Sequence, residues 1–122
     1  MRKGKIKTLF GCVGYSDSAK RCEMGRVASK YSNEIILTVD NIKNAKFNEV
    51  NSDIIKGIDS FNPIKIIYDR KSAVKQEIIN LKTNETLVLL GKGNEKYQKI
   101  GDELIDYCEQ DFVSDFISKL KQ

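Results

Sequence analysis

The chain contains no histidine. That removes Ser–His–acid triads, imidazole acid–base catalysis and every His-based metal site at once. No apolar run approaches the roughly 18 residues needed to cross a bilayer. The basic start, Met1-Arg2-Lys3-Gly4-Lys5, is not followed by an apolar signal core. The three cysteines, Cys12, Cys22 and Cys108, show no C-x-x-C spacing. An odd count without a secretory signal points to reduced thiols in the cytoplasm. Cys22 lies beside Lys20 and Arg21, yet with no histidine as base it reads as incidental.

The 122 residues suit one domain. Hydrophobic residues make up 40% and charged residues 31%, the balance of a globular chain and not of a disordered one. The net charge of +4 sits in Arg2, Lys3, Lys5 and Lys7, and the remainder is neutral. A nucleic-acid binder spreads its basic residues over a folded face. Residues 1–5 therefore read as a basic flexible leader, with neither nucleic acid nor membrane as partner.

Short apolar runs alternate with amphipathic ones. Ile6–Phe10, Ile35–Val39, Ile64–Tyr68 and Leu87–Leu90 read as strands, continuous and β-branched as in a sheet covered on both faces. Between them, Glu23–Tyr31, Phe47–Ile58 and the stretch after Asp69-Arg70 carry apolar residues at helical spacing. Tyr97–Tyr107 reads as a hairpin around Gly101-Asp102, and Phe112–Leu120 as a closing amphipathic helix. The expected fold is α/β: a three-layer Rossmann-like sandwich with a mainly parallel sheet and a C-terminal β-hairpin plus helix, spanning 1–122 as a single domain.

Ligands of such folds bind beyond the carboxyl ends of the strands. Here those ends are Gly11-Cys12-Val13-Gly14, Asp40-Asn41-Ile42-Lys43, Asp69-Arg70 and Gly91-Lys92-Gly93-Asn94-Glu95. Each carries glycine or charge, which predicts one binding face. Gly11-x-x-Gly14 is not a dinucleotide fingerprint, and Gly91-Lys92-Gly93 lacks the spacing and hydroxyl residue of a Walker A loop. A phospho-receiver domain needs an acidic pair after its first strand, where this chain has Phe10-Gly11-Cys12.

Taken together, the loops resemble a known family. Phe10-Gly11-Cys12-Val13-Gly14, Asp17 and Lys20-Arg21-Cys22-Glu23-Met24-Gly25 resemble F-G-x-G-G-D-R-D-x-x-K-R-P-x-M-G. Thr38-Val39-Asp40-Asn41-Ile42-Lys43 is similar to T-x-D-N-P-R, and Asp69-Arg70-x-x-Ala73-Val74 to D-R-x-x-A-I. Leu90-Gly91-Lys92-Gly93-Asn94-Glu95-x-Tyr97-Gln98 is similar to A-G-K-G-H-E-x-Y-Q. In this order and spacing they resemble the C-terminal domain of the Mur ligases, in their diamino-acid-adding, UDP-N-acetylmuramoyl-tripeptide synthetase branch.

The resemblance implies the amino-acid-binding, lid-like domain of an ATP-dependent ligase of cytoplasmic peptidoglycan-precursor synthesis. It implies that Arg21 pairs with a substrate carboxylate and that Asp40, Asn41, Gly91 and Glu95 hold the far end of a diamino acid. Lys43 stands where the family has arginine. It keeps a positive charge for a distal carboxylate, which favours a diaminopimelate-like substrate over lysine. Gly11, Gly14, Asp17 and Lys20 become candidates for a loop on the nucleotide side. No catalytic residue and no metal ligand is assigned to this chain. ATP and magnesium are implied for the full ligase, whose phosphate-binding loop and magnesium ligands belong to a central domain. The family's first β–α unit is likewise not matched here, so the chain is expected to be inactive alone. The sheet is then expected to have an open seam, completed by a homodimer, strand exchange or a partner fragment, with an ATPase central domain as a further partner. The alternative is a non-catalytic interaction or small-molecule-binding module built on this domain.

Overall fold

In a computed structural model, the described residues are 4–11, 17–39, 47–90, 97–100, 103–106 and 108–121. The strands are β1 (Ile6–Phe10), β2 (Glu34–Leu37), β3 (Ile64–Ile66), β4 (Thr86–Leu89), β5 (Tyr97–Ile100) and β6 (Glu103–Asp106). The helices are α1 (Ser18–Tyr31), α2 (Phe47–Ile55), α3 (Arg70–Ile79) and α4 (Glu109–Leu120). β1 to β4 form one all-parallel sheet in the order β3-β2-β1-β4, with Leu9 opposite both Ile36 and Leu89. β5 and β6 pair antiparallel, as the sequence predicts for a hairpin, from Tyr97 opposite Asp106 to Ile100 opposite Glu103.

The two-residue side-chain period of a strand divides this sheet into two faces. Phe10, Ile35 and Leu37 point to one face, where Val50 and Ile54 of α2 and Ala28 of α1 cover them. Leu9 and Ile36 point to the other, against Ala73 and Val74 of α3 and Phe112 and Val113 of α4. The three-layer α/β architecture follows directly from that division.

Several element ends differ from expectation. α1 begins at Ser18, five residues earlier than its apolar spacing implies, because the Asp17 carboxylate caps it by accepting from the Lys20 N–H at 2.8 Å. α2 stops at Ile55, and Gly57 then donates to the Ile54 carbonyl at 3.0 Å in a tight turn. β3 ends at Ile66, although Ile67 still donates to Leu37. β4 is only half-buried. The stripe Met24–Val27–Tyr31 on α1 is exposed, while Arg21 and Gly25 are the residues buried on that helix. These last two differences share one cause. Over β4 no described helix covers the α1/α2 face, leaving an apolar groove of about 490 Å³ lined by Thr8, Val88, Leu90, Met24, Val27 and Tyr31.

Gly25 and Gly57 allow α1 and α2 to touch through their backbones. A Cβ on Gly25 would lie 2.0 Å from the Ile54 carbonyl oxygen, and one on Gly57 would lie 1.9 Å from that of Cys22. Cys22 and Cys108 form no disulfide. Among the described residues no helix is long and apolar enough to cross a membrane.

Candidate functional site

Because β1 to β4 run the same way, their carboxyl ends share one rim. Backbone bonds continue past the strand ends and hold that rim together. Thr38 donates its N–H to the Phe10 carbonyl at 3.1 Å, and Val39 and Leu90 donate to Tyr68 and Leu9. The Thr38 hydroxyl also donates to the Tyr68 carbonyl at 3.0 Å. Beside it the Phe47 and Tyr68 rings meet edge to face, 5.0 Å between centroids.

The first turn of α1 stands at this rim, directly after Gly11 and residues 12–16. Asp17 is occupied in capping, Lys20 is exposed, and Arg21 is buried. Arg21 donates from Nη1 to the Asp53 carboxylate of α2 at 2.8 Å, and Ser18 also bonds to Asp53. Asp53 is thereby the anchor that ties the first turn of α1 to α2. A ligand carboxylate reaching Arg21 must share that guanidinium with Asp53. Asp53 lies outside every motif named above. Its one signal is its place directly before the apolar pair Ile54-Ile55.

The other candidate residues fall on stretches beginning at this rim. Asp40, Asn41 and Lys43 follow Val39, Gly91 and Glu95 follow Leu90, and Gly14 follows Gly11. These six lie outside the described residues. The described structure therefore brings together Gly11, Asp17, Lys20 and Arg21, and the ends from which the others depart.

The hydrogen bond from Arg21 holds the Asp53 carboxyl below its ordinary range against the opposing effect of burial, with Ser18 and Lys56 adding to the lowering. Glu85 is lowered as well, first by the backbone bond from Lys82 and then, against burial, by the Lys7 charge. A carboxyl depressed on folding adds stability that is present above its unfolded pKa, about 4, and is lost as pH falls through the folded value. Urea midpoints are therefore expected to fall below about pH 4. Asp53→Asn should flatten that part of the profile, and an unchanged acid limb in this variant would remove Asp53 from the account.

A second cluster at the rim was visible only as the Asp69-Arg70 pair. The Asp69 carboxylate caps α3 by accepting from the Ser72 N–H at 3.1 Å and its hydroxyl at 2.7 Å. Arg70 is fully buried. Its Nε and Nη2 donate to Glu109 of α4 at 2.7 and 2.9 Å, and Nη2 donates to the Leu90 carbonyl at 2.7 Å.

Comparison with known proteins agrees with this arrangement. No family model matches the chain. It is 41% identical over 118 residues to a Helicobacter pylori UDP-N-acetylmuramoyl-L-alanyl-D-glutamate–2,6-diaminopimelate ligase, a match covering 97% of this chain and 26% of that protein. A ligase of the same name from Clostridium acetobutylicum is 39% identical, again over 97% of the chain and 24% of the relative. A solved structure described by the same activity superposes with a TM-score of 0.89 at 29% identity, covering 98% of this chain and 25% of that one. The chain thus spans about a quarter of the length of the relatives it matches, in their C-terminal part. With ordered loop motifs, a parallel sheet of matching topology and this degree of identity in agreement, the chain belongs to the Mur ligase family, as a counterpart of its C-terminal domain.

Proposed function

We propose that the chain is the amino-acid-binding, lid-like domain of a cytoplasmic, ATP-dependent peptidoglycan-precursor ligase, and that it binds a diamino acid without catalysing ligation alone. The observation that carries this reading is the 41% identity, across nearly the whole chain, to a ligase named for 2,6-diaminopimelate. In this reading Arg21 receives one substrate carboxylate, since arginine suits bidentate recognition of that group. Asp40, Asn41, Lys43, Gly91 and Glu95 take the distal ammonium and carboxylate, and Gly11, Gly14, Asp17 and Lys20 face the nucleotide side. Among the described residues no group of three or more acids or thiols stands together to hold a metal ion. No step through magnesium or ATP is assigned to this chain. Calorimetric titration tests the reading. Diaminopimelate should bind, lysine more weakly, and Arg21→Ala or Glu95→Ala should weaken binding at least about tenfold, the loss of one charged contact. Equal, negligible heats for diaminopimelate, lysine and ornithine would overturn it.

The groove between α1 and β4 supports a partner as part of this reading, and it is also the observation that favours the interaction-module alternative. Among the described residues the α1/α2 face lacks cover over β4. In the relatives about three quarters of the chain lies outside the matched C-terminal part, and Ile6, the first residue of β1, lines the groove. The occupant we assign is an amphipathic helix from that preceding part. The H. pylori relative truncated before its matched part should bind this chain, and Val27→Lys should weaken the complex. Such a complex with no response to any diamino acid would favour the interaction module, and no complex at all would remove the groove from the account.

A further inference from the structure

The stretch 91–108 connects Leu90, just after β4, to the first turn of α4. Within it β5 and β6 pair only with each other among the described residues. A lone two-stranded hairpin is marginal in water, so something must fix where it starts and where it ends. One side chain touches both points. The Arg70 guanidinium donates from Nη2 to the carbonyl of Leu90, the last residue before the stretch. It also grips the carboxylate of Glu109, the first residue of α4 after it, through two hydrogen bonds. Arg70 is fully buried and Glu109 nearly so, and Arg70 stands on a helix whose cap, Asp69, is itself secured. Lysine carries a compact ammonium without the planar fork, and does not reproduce a bidentate grip together with a carbonyl contact.

We propose that Arg70 is a positioning residue that staples the two ends of the 91–108 stretch and so sets the place of the residues it carries. For ligand binding this rests on the reading above, in which Gly91 and Glu95 contact the diamino acid. The staple itself does not depend on that reading.

The test separates the two. Hydrogen exchange is followed residue by residue in the whole chain, wild type against Arg70→Met, Arg70→Lys and the milder Glu109→Gln. The β5 and β6 amides should exchange at least about tenfold faster in Arg70→Met and Arg70→Lys, and by a smaller factor in Glu109→Gln, with β1 and β2 unchanged. A uniform rise over all elements in Glu109→Gln, or no rise in β5 and β6, overturns the staple. A uniform rise in Arg70→Met through general loss of fold is resolved by Glu109→Gln, which must still show the local pattern. Diaminopimelate titration of the same variants should show at least about tenfold weaker binding. Unweakened binding together with local exchange would contradict the ligand-positioning half. If the wild type binds no diamino acid, the proposed function fails and the exchange result alone decides the staple.

Discussion

Glu77→Ala is expected to lose about 3–5 kcal/mol of stability, the usual cost of removing one partner from a buried ion pair. Glu77 lies on the sheet side of α3 with its side chain fully buried. Its carboxylate stands 3.9 Å from the Lys7 ammonium and 3.3 Å from that of Lys65. Each lysine has one further partner, Glu85 for Lys7 at 3.5 Å and Glu34 for Lys65 at 3.4 Å. The lysines differ in burial, and that decides the size of the effect. Lys7 keeps only 9% of its side chain exposed, so without Glu77 its charge is left in a poorly solvated place with a single partner. Lys65 is 39% exposed, so its own charge stays solvated without Glu77, but Lys65→Ala would leave the buried Glu77 carboxylate with Lys7 alone and should cost more than the roughly 1 kcal/mol of a surface pair. Burial draws the Lys65 pKa down, but the hydrogen bond and charge of Glu77, with help from Glu34, outweigh it and leave it raised. A raised ammonium contributes fully below its unfolded pKa and loses that contribution above about pH 10. Urea unfolding at neutral pH checks the account. A loss below about 1 kcal/mol for Glu77→Ala would show that the cluster is not what joins α3 to β1 and β3.

Gly25→Ala is the second large effect, and its sign opposes helix propensity. In the interior of α1 alanine should gain up to about 1 kcal/mol over glycine. The new Cβ would lie 2.0 Å from the carbonyl oxygen of Ile54 and 3.0 Å from its carbon. Those atoms are backbone, so the conflict is relieved only by moving α1 away from α2. Overpacking of this kind costs about 1–3 kcal/mol, occasionally more, and here the upper part of that range is expected, net of the propensity gain. The change also reaches the candidate site. Arg21 precedes Gly25 by one helical turn, and its 2.8 Å bond to Asp53 spans the same α1–α2 contact. Gly25→Ala should therefore raise the Asp53 pKa toward its ordinary value as well as lower the urea midpoint. A stabilised variant with Asp53 unchanged would show that the helices do not meet as described.

The architecture was legible because its signals are local. Ile35-Ile36-Leu37 shows an apolar run without alternation, and the structure places its members alternately against α2 and against α3. Asp69-Arg70 marked the start of α3 because a cap acts within one turn. The features without a local signal depend on distant partners. Met24, Val27 and Tyr31 have core spacing, but whether such a stripe is covered depends on what lies over β4. Arg70 finds its partners 20 and 39 residues away, and no period in the sequence announces a buried guanidinium. Glu77 reads as a solvated charge until α3 is laid on Lys7 and Lys65. At the site, motif order pointed to the common rim, whereas the Arg21–Asp53 pair required the close approach that Gly25 and Gly57 permit.

As proposed above, this chain supplies the C-terminal part of a diamino-acid-adding ligase. That proposal is tested most directly by exchange of domains. The chain is fused in place of the matched C-terminal quarter of the H. pylori relative, and amide formation is assayed with diaminopimelate, ATP, magnesium and the UDP-linked dipeptide. The account predicts measurable ligation that Arg21→Ala and Glu95→Ala abolish. A folded fusion that hydrolyses ATP but forms no amide at saturating diaminopimelate would contradict it.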